Sequence, residues 1–262
     1  MPKVDSVHID ITYATRLFHR DVADLDGDSA VVFAPTPPHD ARLAFMLAVE
    51  RGRWMVTLGG LRGERPPTDL AGFLAFVRLL PRPDIYNVIR HAIPMGEVVG
   101  FGFTDSRRPR YERLRRFPER YVILGDALCS FNPVYGEGMS VAALEALAPR
   151  QCLAESASLE HLWQRLRPHL AGIVNPAWRL SVQSDLAYPG VVGPRRILAG
   201  AANWYLTKVH QAASTDRTVC RTFFDVANLL VPPTALVHPR IVARVARHAY
   251  AGDRPAATPQ RQ

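Results

Sequence analysis

An apolar run, Tyr121-Val-Ile-Leu124, leads straight into Gly125 and Asp126, and Pro133, Gly136, Glu137, Gly138, Met139 and Ser140 follow shortly after. A buried strand that delivers a carboxylate at its C-terminal end, then a loop, then a glycine-bounded helix start, is an arrangement that faces a ligand. The carboxylate can accept hydrogen bonds from sugar-like hydroxyls. The first turn of the helix offers N–H groups that have no acceptor within the helix to an electron-rich ring. Taken alone, Asp126 reads equally well as an acid that caps a loop or pairs with an arginine; the surrounding Gly, Pro and Gly-x-Gly spacing favours the ligand reading. The stretch Gly138-Met-Ser140-Val-Ala142 also has the outline of a nucleophile elbow. Such an elbow must follow its strand at once, and here a loop of about a dozen residues intervenes, so Ser140 is not read as a nucleophile.

The elements that must hold these residues can be read from periodicity. Val7, Ile9, Ile11, Tyr13, Thr15 and Leu17 alternate with polar or small residues, the period of two of a half-buried strand. After a turn-rich run from Asp24 to Ser29, apolar runs at Ala30 to Ala34, Leu43 to Glu50 and Arg53 to Leu58 predict an antiparallel meander, with Gly52 in a tight connection. Thr68 is the expected N-cap of a helix through Leu70, Phe73, Leu74 and Val77, ended by Pro81. Strand-like pieces follow at Ile85 to His91 and Val98 to Phe103, then an arginine-dense connector from Arg107 to Arg120. Beyond Gly138 the pattern is helical, with Pro149 expected to interrupt the first helix and Pro189, Pro232, Pro233 and Pro239 to break the later ones. The tail from Asp253 reads as frayed.

The segment from Tyr121 to Ala146 resembles the second FAD-binding motif of the aromatic-ring hydroxylase family (group A flavin monooxygenases), whose pattern runs Gly-Asp-Ala-Ala-His, Pro, Gly-x-Gly and a small-residue helix. The likeness extends to Tyr13-Ala-Thr-Arg16, Arg110-Tyr-Glu-Arg113, Phe117-Pro118 and the stretch from Asp185 to Arg196. The resemblance implies that Asp126 binds the ribityl hydroxyls of FAD, and that Gly136, Glu137, Gly138, Met139 and Ser140 lie along the flavin pyrimidine, with Gly125 and Pro133 shaping the turns. It implies an α/β chain of α+β-like character: an antiparallel substrate-domain sheet over 1–116, a strand-loop-helix FAD element over 117–150 and an α-helical C-terminal region over 151–262. The implied activity is that of an FAD-dependent oxidoreductase, a monooxygenase that hydroxylates or epoxidises an apolar or aromatic small molecule, with NAD(P)H as reductant. The substrate would rest against the meander, touched by Tyr13, Arg16, Phe45 or Trp54; no catalytic acid–base residue is assigned. Cys129 stands where many relatives have histidine and Ser140 where they often have asparagine, which leaves the redox tuning of the flavin open.

The family's N-terminal unit, with its Gly-x-Gly-x-x-Gly turn for the ADP half of FAD, has no counterpart in the sequence. Gly59-Gly60 and Gly100-Phe-Gly102 are the nearest glycine-rich pieces, and neither opens a helix. A start codon assigned too late, a truncated gene or a separate N-terminal chain would each account for this. The other reading is a non-catalytic remnant, or a module that binds a ligand or partner without flavin.

The bulk properties narrow the rest. The 262 residues, 48% hydrophobic and 21% charged, can bury a sizeable core. No apolar run approaches the roughly 20 residues that span a bilayer, and no signal peptide is read at the start, so a cytoplasmic location is expected. A peripheral membrane contact of the tail, through Phe223, Phe224, Leu229 and Leu230 with Arg240 and Arg244, is the weaker reading beside packing. A formal charge of +8 permits anionic partners without choosing one. The seven arginines between Arg107 and Arg120 are interleaved with few aromatics and read as a solvated face rather than a nucleic-acid surface. Cys129, Cys152 and Cys220 have no metal or disulfide spacing, and the nine histidines show no ligand spacing, so no metal is expected. Asp24, Asp26 and Asp28 lack the glutamate of a calcium loop.

Overall fold

The structure is a computed structural model that describes residues 1–34, 40–155, 158–191, 193 and 199–252. The tail from Asp253, and Val192 and Pro194 to Arg196 of the stretch that follows Asp185, lie outside the described residues. The chain has an α/β fold, with a five-stranded antiparallel sheet and seven α-helices among those residues. Packing divides it into two compact units: His8–Asp105 with Tyr188–Val191, and Met1–Val7 with Ser106–Ala187 and the described residues from 193 onward. The residues of 117–150 thus pack in one unit with the helices that follow.

The strands β1 (Val4–His19), β2 (Ala30–Phe33), β3 (Arg42–Val49), β4 (Arg53–Leu61) and β5 (Pro94–Pro109) are ordered β2-β3-β4-β1-β5, with all but the start of β1 and the end of β5 in the first unit. The β3–β4 hairpin turns at Arg51 and Gly52, both at positive φ, which twists the connection in the sense the strands need. Gly59 and Gly60 belong to β4. A Cβ on Gly59 would meet the Leu43 side chain, with Cδ1 at 2.5 Å, and one on Gly60 would meet the Glu64 carbonyl oxygen, so close backbone approach explains Gly60 and side-chain packing Gly59. One sheet face buries Ala14, Phe18, Met46, Trp54, Val56 and Leu58 against α1 (Leu70–Arg78) and α2 (Asp84–Ile89).

Three local expectations are corrected here. The N-cap of α1 is Asp69, whose side chain accepts from the Gly72 amide at 2.8 Å, in place of Thr68. The Ile85 to His91 piece is helical: it follows Pro83, and Ile85 and Ile89, one turn apart, are both buried. A short apolar run carries no period of its own, and packing decides. The strand expected over Tyr121 to Leu124 has no ladder among the described residues; Leu124 is extended, at φ −139° and ψ 165°, and Tyr121 is exposed.

In the second unit α3 (Glu137–Glu155) runs through Pro149 without ending, another departure from expectation. Ala148 and Cys152 are buried on either side of Pro149, so packing offsets the lost amide bond. α4 (Leu162–Asp185) packs on α3 and likewise contains Pro168 and Pro176. α5 (Ala199–Ala213), α6 (Arg217–Ala227) and α7 (Pro239–Gly252) enclose a separate small core of Val209, Val219, Val226, Ile241 and Val245. Asp216 caps α6 and pairs with Arg244 at 2.7 Å, so Arg244 is engaged within this bundle.

Candidate functional site

The turn at Gly125–Ala127 packs on α3, against its second and third turns. Gly125 has φ +63°, a conformation suited to glycine, and a Cβ built there would sit 4.0 Å from Ala142, in the second turn of α3. Its amide donates to Glu145 Oε2 at 2.5 Å, so a fully buried carboxylate ties the turn to the helix. This leaves the neighbouring Asp126 side chain exposed, with no hydrogen bond or ion pair among the described residues. At the helix tip Gly136, at φ +68°, closes a turn by donating to the Pro133 carbonyl at 3.0 Å. Cβ atoms on Gly136 or Gly138 would meet nothing within 4 Å, so the approach to the first-turn amides is open. Met139 is 86% exposed, an apolar side chain left bare beside that opening.

These features fit the flavin end of FAD: an unpaired carboxylate for ribityl hydroxyls, donors for an electron-rich ring edge, and an apolar surface for the ring plane. Gly125, Asp126, Gly136, Glu137, Gly138, Met139 and Ser140 all lie in this one stretch of the second unit. Pro133 opens the turn that ends at Gly136.

Residues that sequence reasoning left without a role hold this loop in place. Asp185, at the end of α4 and 1% exposed, accepts from Asn132 Nδ2 and from the Tyr135 hydroxyl, each at 2.8 Å. Asn132 Oδ1 in turn accepts from the Val134 amide at 3.2 Å. Glu137 points inward, is 2% exposed, and has Oε2 without a partner. Burial, then the neighbouring Asp185 charge, pushes its carboxyl up to about 8, so it holds its proton at neutral pH. Burial also lifts Asp185 to about 6, against the opposing bonds from Asn132 and Tyr135. Glu145 is raised by burial too, opposed by the Gly125 amide. A carboxylate at a helix N-terminus would cancel part of the tip's positive potential. A neutral Glu137 leaves that potential available to an anionic ring edge. Cys129, at the histidine position of the motif, is buried and its thiol is held well above the usual range, chiefly by burial, so it is not a reactive thiolate.

A signal for these acids exists in the pattern. Glu145 sits on the buried helix face with Val141, Ala148 and Cys152, and Asp185 on that of Ala177, Trp178, Ser181 and Val182. An acid on an apolar helical face is rare unless paired.

The four residues expected to touch substrate fall two and two. Tyr13 stands opposite Gly59, and Phe45 and Thr15 both stand opposite Thr57, so Tyr13 and Phe45 share one sheet face, where Tyr13 stacks on Phe101 at 6.2 Å. Arg16 stands opposite Val56 and Trp54 opposite Phe18, on the face covered by helices. Trp54 is fully buried, donates to Asp24 Oδ2 at 2.7 Å and carries the Arg20 guanidinium on its ring. Among the described residues no cluster of His, Cys, Asp or Glu has the makings of a metal site, and no helix is long and apolar enough to cross a membrane.

The backbone so described is similar to those of several solved structures. It is similar to the flavoprotein/dehydrogenase of Cytophaga hutchinsonii (TM-score 0.61, 11% identity, 93% of this chain and 56% of that one). It is similar to p-nitrophenol 4-monooxygenase PnpA of Pseudomonas putida DLL-E4 (0.53, 18%, 87% and 55%), and to HpxO of Klebsiella pneumoniae in complex with FAD and uric acid (0.50, 15%, 90% and 52%). At these identities the likeness establishes a shared fold. In sequence the chain is 32% identical over 190 residues to Protein Rv3254 of Mycobacterium tuberculosis, 71% of this chain and 40% of that protein. It therefore spans less than half the length of that relative and somewhat over half of the three structures. No protein-family profile matches the sequence.

Proposed function

We propose that the chain forms the isoalloxazine and ribityl end of an FAD site in an oxidoreductase of the aromatic-ring hydroxylase type. The observation that carries this reading is the packing of the turn that bears Asp126, exposed and unpaired, on α3, whose glycine-bounded tip is open. Asp126 accepts the ribityl hydroxyls. The amides of Gly138, Met139 and Ser140 face the pyrimidine edge, and Met139 lies against the ring. Bound FAD would supply the redox chemistry, with NAD(P)H as reductant. The chain's own residues contribute position and electrostatics, which accounts for the lack of an acid–base dyad in the motif.

The reading makes the sheet unit the substrate unit and the substrate a small apolar or aromatic molecule, with Tyr13 and Phe45 as its contacts. Its Gly-x-Gly-x-x-Gly counterpart, for the ADP half of FAD, is not among these 262 residues. The seat assigned to this chain is thus for the flavin end alone. The test is an FAD titration of the purified chain followed by flavin absorbance and fluorescence, alone and together with a candidate nucleotide-binding chain. Saturable binding weakened in Asp126→Ala supports the reading. Absence of bound flavin in both formats removes it and favours a module that works without flavin.

A further inference from the structure

The arginine-dense connector folds over α4, and its charges are unequally matched. Arg108, 3% exposed, reaches Glu112 at 3.5 Å, and Arg110 joins Asp5 at 2.5 Å and Glu112 at 3.2 Å. Arg167 of α4 donates to the Glu112 and Leu114 carbonyls at 3.1 and 3.3 Å, fixing the connector's path. A cavity of about 360 Å³ lies here, walled by Arg113, Arg115, Phe117, Trp163 and Arg167. Glu112 also lines it but is already engaged by Arg108 and Arg110. Neither Arg113 nor Arg115 has an ion pair or hydrogen bond from its side chain among the described residues. Phe117 stacks on Trp163 at 4.2 Å and 19°, and the buried Trp163 Nε1 has no acceptor.

We propose that this cavity binds a small phosphate that carries a flat ring, of the size and chemistry of a nucleoside monophosphate. The planar guanidinium forks of Arg113 and Arg115 match phosphate oxygens, as arginine does in preference to a point charge. The partly exposed Phe117 ring, backed by the buried Trp163 on which it stacks, takes the ligand ring by stacking. The volume falls in the range of about 300–1,000 Å³ common for small-molecule sites. None of these side chains is assigned a flavin contact, and Asp126→Ala, which weakens FAD in the flavin reading, should leave AMP affinity as it was, so the two stand or fall separately.

Titration calorimetry on the full chain with AMP, adenosine and inorganic phosphate tests the inference. AMP is expected to bind at least about tenfold more tightly than either fragment, and more weakly as salt rises. Arg113→Ala combined with Arg115→Ala should cost at least about tenfold in AMP affinity, since both side chains are exposed and the fold, checked by circular dichroism, does not depend on them. Phe117→Leu should lose AMP affinity and leave inorganic phosphate affinity as it was. The proposal is overturned if AMP binds no better than phosphate, if the double variant binds AMP like the wild type, or if AMP affinity ignores salt. A short single-stranded oligonucleotide that binds far more tightly than AMP would overturn it as well, in favour of a nucleic-acid surface.

Discussion

In the sheet unit Glu64 receives Nε and Nη2 of Arg42 at 3.1 and 3.2 Å, and Asp24 receives the Trp54 indole. In the loop–helix element, by contrast, Glu137, Glu145 and Asp185 are each at most 2% exposed and each keeps one carboxyl oxygen without a partner. A buried, half-satisfied acid costs stability. Among the described residues the sheet unit thus buries no acid, whereas the stretch from Gly125 to the end of α4 buries three. That is where a fold tends to depart from local rules when a site requires it.

The largest test of this contrast lies in the sheet. Trp54→Ala should cost about 3–5 kcal/mol in thermal or urea unfolding, because it empties a fully buried site and removes one of the two donors to Asp24 Oδ2, the Asp21 amide being the other. A stable variant would mean that Trp54 is not core. Next, Asp126→Ala should leave unfolding almost unmoved and lower FAD affinity by about 10- to 100-fold, or roughly 1.5–3 kcal/mol, in a fluorescence titration.

Third comes the pH dependence of Glu137. Its native pKa, about 8, lies above its ordinary value of 4.5, so the folded chain binds more protons than the unfolded one between those limits. Its contribution to stability is full below pH of about 4.5 and is lost as pH rises through about 8. Glu137→Gln should therefore be the more stable form at pH 8.5, by on the order of 2 kcal/mol, and flatten the pH profile of unfolding. Identical profiles would show that Glu137 is not a buried proton holder. The smallest effect belongs to the exposed pair Arg82–Asp84: Arg82→Ala should change stability by less than about 1 kcal/mol.

The sequence made the glycine positions legible because backbone geometry demands them. Gly125 and Gly136 occupy the left-handed region, where few other residues fit. β1 is legible from its alternation, and the meander from short apolar runs separated by turn residues such as Gly52. What stayed hidden depended on distant partners. Asp185 lies 53 residues from Asn132, and no local pattern links them. Ile85 and Ile89 suit strand or helix until Pro83 and the core choose between them. Pro149 reads as a breaker because local propensity cannot weigh the packing of Ala148 and Cys152.

The claim that Asp126 and the tip of α3 together hold a flavin is tested most directly by amide chemical shifts of the labelled chain during addition of FAD. The account predicts shifts concentrated at Asp126 and from Gly136 to Ser140, with those at Gly136 to Ser140 reduced in Asp126→Ala at the same FAD concentration. Shifts confined to other parts of the chain, with these amides unmoved at saturation, would contradict it.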